Sequence, residues 1–517
     1  MTSNAVVTPH HLSAEAGRHI LREGGNAVDA AAAVVAAQGV VAPETCGLGG
    51  DLFALVQAPG WDRPRALNSS GRSGSNVAAK RLRGAGAAEI ARDDPEAVTI
   101  PGCVDGLEML VTELGRLALG HVLEPAIRLA TEGFEVSTEQ TAAFLRMADV
   151  YRDNPAVSGF YPGGQPVERG DVVKRPELAR TLEAIASGGR EAFYSGTPGD
   201  DISRAVGGAI TLDDMSEVQA EWADPIGVDV AGLTSWTIPP NSQGYLGPGT
   251  LAVFEMLDPP DDPADPLWWH LLVESYRCLA WERDDLVSDP NHVALPARLL
   301  LEPARLQRAA ATVDRDRAGV WPERVGRPSS TAYMCVADAA GMGVSVIQSN
   351  YSGTGSVFGA ARSGFLLQDR GTGFTLTPGH PNELGPRKRP LHTLSPTLWS
   401  DADRPRWLLG TRGGAVQPQL TAQVAARAIV RGDDLEEAQA APRWTVKGFG
   451  PGSPPHLAIE PDAPPSLLEG LEARGHQVDV QPGPQRGWGP VSVIELDGAG
   501  RRAAADPRVD TTAALVF

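Results

Sequence analysis

Three small polar residues, Ser329, Ser330 and Thr331, stand directly before an apolar strand-like run, AYMCVAD, and its hairpin partner, GVSVIQSN. A threonine hydroxyl is a poor nucleophile at neutral pH and needs a base beside it. A chain cut just before Thr331 would supply one, because the new α-amine lies within reach of the hydroxyl of the same residue. The same run also fits an ordinary loop entering a strand, and the residues alone leave both readings open. Other familiar chemistries have no signature here. There is no GxSxG elbow, HExxH, Walker loop or GxGxxG after a strand, and GTGSVFG at Gly353 to Gly359 reads as a tight loop rather than a phosphate cradle. Cys46, Cys103, Cys278 and Cys335 are scattered without metal-ligand spacing, so neither a zinc site nor a disulfide scaffold is expected. His10, His11 and His19 read as surface or capping residues, Trp268, Trp269 and Trp281 as core aromatics, and Asp506 and Arg508 as fasteners of the C-terminal segment.

The elements that must position such a nucleophile follow from periodicity. Ala14 to Glu23 suits an amphipathic helix ended by Gly24 and Gly25, and the nearly unbroken alanine and valine run Ala27 to Ala37 suits a helix packed on most faces. Pro43 and Glu44 then lead into the glycine-rich turn CGLGGD and a strand from Leu52 to Gln57. Helices dominate the middle third: Ala126 to Thr131, Glu177 to Ala186, Ala192 to Gly207 and Leu267 to Asp285. From about Thr331 the pattern turns to strands, in TAYMCVAD, GVSVIQSN, GFLLQD, RWLLGT and PVSVIELD. The length of 517 residues allows a large core, while a net charge of −19 opposes affinity for nucleic-acid phosphates or anionic lipid. A small-molecule partner is expected instead. The N-terminal sequence shows no signal-peptide pattern and no run reaches membrane-span length, so the chain reads as cytoplasmic, with no membrane partner.

A dozen stretches in order, among them GGNAVDAAAA, CGLGGDLFALV, IPGCVDGLEML, EPAIRLATEGFEVS, HLLVESY, STAYMCVAD, KRPLHTLSPT, GTRGG and DPRVD, resemble the gamma-glutamyltranspeptidase family of N-terminal nucleophile hydrolases. The resemblance implies an α/β fold, an αββα sandwich made as one precursor. It also implies self-cleavage between Ser330 and Thr331 by an N-to-O acyl shift, into a helix-rich large subunit, 1–330, and a strand-rich small subunit, 331–517, that form one body. In the family pattern Thr331 is the nucleophile and its α-amine the base. Ser349 matches a hydroxyl that tunes the nucleophile, and Gly413 and Gly414 match the pair whose N–H groups form the oxyanion hole. No metal or organic cofactor is implied; the partners are a small-molecule amide substrate and the two pieces of the same precursor, with homo-oligomerisation left open.

The substrate-binding positions depart from the pattern. A family Ser-Ser pair that holds a carboxylate appears as His392 and Thr393, and an Asn two residues after Ser349 appears as Tyr351. The Gln and Asp that hold an α-amine appear as Arg370 and Gly373, and the carboxylate-clamping arginine falls at Ser70, with Arg72 as a substitute. Two ammonium acceptors are thus replaced by a cation and a glycine, and Arg370 beside His392 predicts an anion-friendly pocket. The expected activity is cleavage or transfer of gamma-glutamyl or similar amides, as in glutathione hydrolase-like enzymes. The alternatives are a cephalosporin or glutaryl acylase, or an uncleaved homologue that only binds.

Overall fold

The computed structural model describes residues 3–293, 295–320, 330–447, 456–497 and 500–517. Ser329 lies outside them, and of Ser330 only the backbone is described. Thirteen strands build two stacked sheets: β1 (Ala5–Thr8), β2 (Asp51–Gln57), β3 (Arg65–Ser69), β4 (Glu221–Ala223), β5 (Ile226–Val230), β6 (Leu233–Thr237), β7 (Ser330–Ala337), β8 (Gly343–Tyr351), β9 (Thr397–Asp401), β10 (Arg404–Thr411), β11 (Val491–Leu496), β12 (Arg501–Ala504) and β13 (Ala513–Val516). One sheet runs β13-β1-β7-β8-β2-β3-β4 and the other β12-β11-β10-β9-β6-β5. Both draw strands from each side of Thr331. The first part of the chain is therefore helix-rich by count, yet it supplies four of the seven strands of one sheet and two of the six of the other.

Side-chain alternation explains the stacking, since successive residues of a strand face opposite sides. In β2, Phe53 and Leu55 meet Tyr333, Ile347, Leu398, Leu408 and Ile494 between the sheets. Leu52, Ala54 and Val56 turn the other way, toward the helices α1 (His11–Arg22), α2 (Ala27–Val41) and α3 (Cys103–Leu114), with α4 (Leu119–Glu132) beyond. Every residue of α2 is buried. Alanine loses no side-chain entropy in a helix and lets neighbours approach closely, and Asn26 and Asp29 close a capping box at its start. His10 caps α1, its ring nitrogen accepting from the Leu12 N–H, and Gly24 ends it at φ +91°. On the outer face of the second sheet lie α7 (Leu246–Met256), α8 (Pro266–Ala280) and α9 (Gln417–Ala425), with Trp268 and Trp269 in their core. Two further helices, α5 (Thr138–Arg146) and α6 (Pro176–Tyr194), belong to the first half. The chain is thus an αββα sandwich.

Three expectations change in detail. The helix read over Ala192 to Gly207 breaks at Gly196, whose added Cβ would lie 2.1 Å from the Ala192 carbonyl oxygen. The one read over Leu267 to Asp285 ends at Ala280 and restarts at Arg283. GFLLQD forms a strand of two residues only, Phe365–Leu366. The C-terminal segment is fastened as expected, with Asp506 accepting from Arg443 at 2.6 Å and from the Val491 N–H at 2.8 Å. The ends of the described chain are bonded to each other, Asn4 N–H to the Phe517 carbonyl at 2.8 Å and Phe517 N–H to that of Asn4 at 3.1 Å. No described helix is long and apolar enough to cross a membrane.

Candidate active site

Thr331 is the second residue of β7, near the middle of the seven-stranded sheet, and is 1% exposed. Its partner strand carries a bulge there: Ala332 faces Gln348 and Ser330 faces Tyr351, so Ser349 and Asn350 together oppose Thr331. Such an extra residue re-aims side chains and is common beside active sites. Here it brings the Thr331 hydroxyl to 3.2 Å from Ser349 Oγ, the acceptor. Ser349 Oγ also accepts from the Tyr351 N–H at 2.8 Å. Tyr351 adopts φ +76°, a conformation that a bulky residue holds only when its surroundings enforce it.

Those surroundings are Arg370. Its guanidinium carbon lies 3.9 Å from the centroid of the Tyr351 ring, Nη1 donates to Thr393 Oγ1 at 3.2 Å, and Nη2 donates to Ser349 Oγ at 3.4 Å. The side chain is fully buried, its Nε has no hydrogen-bond partner, and among the described residues it forms no ion pair. Burial pulls it below the ordinary guanidinium range, opposed by Tyr351, Asp51 and Asp369. Asp369, next in the chain, turns away to the Ser352 N–H at 2.8 Å and Arg92 at 3.3 Å. A desolvated cation thus stands one hydroxyl away from Thr331.

His392 is not a second cation. Burial, and then Arg370, push its pKa down to about 3. Its Nδ1 accepts from the Leu394 N–H at 3.3 Å, so Nε2 carries the proton and donates it to Asp51 Oδ2 at 3.0 Å. Both ring nitrogens are spent inside the protein, so the anion-friendly character expected of Arg370 beside His392 rests on Arg370. Asp51 had no role in the sequence reading, yet it joins three segments. Besides His392 it accepts from the Gly71 N–H at 2.8 Å and Gln368 Nε2 at 2.9 Å, and it sits opposite Ser349 in the sheet. A lone aspartate closing a glycine-rich turn at a strand head, GGD, is the signal that could have marked it.

Gly413 and Gly414 follow β10 at φ +123° and +59°, and Gly414 opens a short 3-10 turn. The first N–H groups of a helical turn have no acceptor within it, which leaves that of Gly414 available to a group outside the turn. A second residue missed in the sequence, Gln243, holds the turn to the Arg370 side: its Nε2 donates to the carbonyls of Gly414 and Thr393, each at 3.0 Å. Arg72 is bound elsewhere, its N–H to Gln219 Oε1 at 3.0 Å and its guanidinium to Glu221 at 3.6 Å. Ser70, at the arginine position of the pattern, hydrogen-bonds Asn68 Oδ1 at 2.7 Å. The structure therefore joins Thr331, Ser349, Tyr351, Arg370 and Thr393 directly, ties in Gly414 through Gln243, and leaves Arg72 with Glu221. Among the described residues no group of three or more potential metal ligands forms a cluster.

The sequence model of the gamma-glutamyltranspeptidase family matches residues 13–516. The chain is 36% identical over 519 residues to the glutathione hydrolase-like YwrD proenzyme of Bacillus subtilis (strain 168), covering 99% of this chain and 98% of that protein. It is 33% identical over 525 residues to the oxamate amidohydrolase proenzyme of Klebsiella pneumoniae, covering 99% and 98%. Among solved structures it resembles cephalosporin acylase from Bacillus halodurans, with a TM-score of 0.91 at 30% identity over 100% of this chain and 96% of that one.

Proposed function

The chain belongs to the gamma-glutamyltranspeptidase family, and on that premise we propose that it is a self-processing amidohydrolase acting on amides of small dicarboxylic acids. Gamma-glutamyl amides are the first members of that class. In the precursor the Thr331 hydroxyl attacks the Ser330 carbonyl carbon, the peptide nitrogen leaves as the Thr331 α-amine, and water hydrolyses the resulting ester. Cleavage there yields pieces of 330 and 187 residues.

In the processed enzyme the α-amine takes the hydroxyl proton as Thr331 Oγ attacks the substrate amide. General-base help of this kind contributes about 10²- to 10⁴-fold. The oxyanion meets the Gly413 and Gly414 N–H groups, where one lost donor costs about 10²- to 10³-fold. As the intermediate collapses, the ammonium returns the proton to the departing amine. Water, losing a proton to the Thr331 α-amine, then attacks the ester carbonyl, and that proton passes to Thr331 Oγ as the acid leaves. An acceptor amine in place of water gives transfer.

The observation that carries the substrate class is Arg370, a buried guanidinium without an ion-pair partner among the described residues, bonded to Ser349 beside the nucleophile. An unpaired buried charge is costly, and a substrate carboxylate would offset that cost. The same cation repels an α-ammonium, which favours a second reading, a glutaryl-type acylase, within the same chemistry. The four buried free thiols support a reducing compartment such as the cytoplasm. The test is hydrolysis of glutaryl-, gamma-glutamyl- and butyryl-p-nitroanilide by the wild type and Arg370→Met. The two acidic acyl groups should be preferred over butyryl by the wild type alone. Preference for butyryl, or an unchanged preference in Arg370→Met, would sink the assignment, and turnover of the gamma-glutamyl compound above the glutaryl one would reject the second reading.

A further inference from the structure

Arg370 addresses the acyl half of the substrate; a separate cavity borders the catalytic turn. It holds about 310 Å³ and is walled by Glu44, Glu139, Arg146, Gly353, Arg412 and Arg486 among others. Arg412 immediately precedes Gly413, and Gly353 lies two residues past Tyr351. The Thr45 carbonyl, next to Glu44, accepts the Asn350 N–H at 3.3 Å, so the wall is bonded to the bulge that faces Thr331. The cavity thus lies beside the end of β8, the strand that faces Thr331, and beside the residue that leads into the candidate oxyanion turn.

Its charges are unequally matched. Arg412 is neutralised by a two-pronged contact with Glu139, at 3.0 and 2.8 Å. Arg146 and Arg486 are exposed at the rim and form no ion pair among the described residues. Glu44 lies deeper, 7% exposed, and its Oε2 has no hydrogen-bond partner. Arg175, behind it, spends its guanidinium on the carbonyls of Gly39, Val40 and Gly364 at 2.8 to 3.0 Å. Burial pushes the Glu44 carboxyl up to about 8, with Glu139 adding to the rise and Arg412 and Arg175 opposing it. At neutral pH the inner group is a carboxylic acid with an O–H to donate, and the outer groups are two cations.

We propose that this cavity is a carboxylate subsite for the amine half of the substrate, in which Arg146 and Arg486 supply the charge and the buried, unpartnered Glu44 Oε2 makes the inner hydrogen bond. The inference rests on the amidohydrolase reading only for the words "amine half"; the binding itself does not need catalysis. Ionised Glu44 would repel the same ligand, so affinity falls as pH rises through about 8.

The test is calorimetric binding of hippurate and of its neutral amide, hippuramide, to the full-length protein. Neither has an amine that can be acylated or that titrates between pH 7 and 9. Hippurate should bind at least about tenfold more tightly than hippuramide at pH 7 and lose about tenfold by pH 9, where one Glu44 in ten remains protonated. Arg146→Ala with Arg486→Ala should remove the preference while leaving the thermal midpoint in place, since both side chains are exposed. Glu44→Gln keeps a neutral donor and should abolish the loss between pH 7 and 9. Equal binding of the two probes, a preference that survives the double variant, or the same pH dependence in Glu44→Gln and wild type would each overturn the proposal. If the chain neither processes itself nor cleaves anilides while hippurate is still preferred, the enzymatic reading fails and the subsite stands. Processing and turnover without that preference sink the subsite alone.

Discussion

Replacing Ser349 by alanine tests whether the bulge does what its geometry implies. The substitution removes one oxygen that accepts from the Thr331 hydroxyl at 3.2 Å, the Tyr351 N–H at 2.8 Å and Arg370 Nη2 at 3.4 Å. Thr331, Tyr351 and Arg370 are 1%, 6% and 0% exposed, so water does not readily replace the lost acceptor. Losing the bond from the buried Tyr351 N–H costs about 1–3 kcal/mol, and the longer Arg370 bond adds about 1 kcal/mol, for a loss of stability of about 2–4 kcal/mol. That is within what a folded protein tolerates. Of these three bonds, the one from Thr331 acts on the nucleophile itself. At about 1–1.5 kcal/mol, its loss slows attack by about tenfold, because 1.36 kcal/mol is one decade in rate. Two rates report it independently: conversion of precursor into two bands on denaturing gels, and the p-nitroaniline burst from protein already processed. Both should fall by about tenfold in Ser349→Ala and largely recover in Ser349→Thr, which restores the hydroxyl. A folded Ser349→Ala protein that processes and acylates at wild-type rates would refute the argument, whatever its loss of stability.

Thr331→Ala should persist as a single 54.4 kDa chain on prolonged incubation, whereas the wild type should yield a smaller fragment whose first residue is Thr331 by N-terminal sequencing. Gly413→Ala places a Cβ 3.0 Å from Val416 Cγ2 and 3.3 Å from Leu420 Cδ1 at φ +123°, so it should tilt the turn and lower kcat by about 10²- to 10³-fold without blocking folding. Burial pushes the pKa of His476 down to about 2, with His270, Arg277 and Arg474 adding to the shift. The native ring stays neutral while the unfolded one gains a proton below about 6.5, so this residue contributes a loss of stability as pH falls, of about 1.4 kcal/mol per pH unit. Urea unfolding at pH 7, 6 and 5 should show a shallower slope for His476→Gln than for wild type, and parallel slopes would contradict the burial argument.

Much of the framework is legible in sequence because local pattern and tertiary role agree. An alanine-valine run with an Asn-x-x-Asp start can only be a buried, capped helix, and the strands after Thr331 announce themselves by alternation. Thr331, Ser349, Gly413 and Gly414 lie within recognisable motifs. What sequence hides is pairing over long separations. His392 is held neutral by its burial and by Arg370, and its proton is aimed at Asp51, which lies 341 positions away; no local feature of LHTLS reveals either. The bulge opposite Thr331 is equally silent, because it is a property of two strands in register. Arg72 shows the converse: a residue that the family resemblance offers as a substitute anion clamp is paired in the fold with Glu221.

The interleaving of strands has a consequence for how the chain could be rewired. Because each sheet takes strands from both sides of Thr331, the two pieces remain woven together after a cut, and neither carries a complete sheet of its own. Asn4 and Phe517, meanwhile, already exchange hydrogen bonds at 2.8 and 3.1 Å. A short peptide joining those ends would close the polypeptide into a ring in outline, and opening that ring before Thr331 would leave its free amine exposed once the initiator methionine is removed. Self-cleavage would then be a matter of biosynthetic route rather than of architecture: the sandwich is indifferent to where its backbone begins.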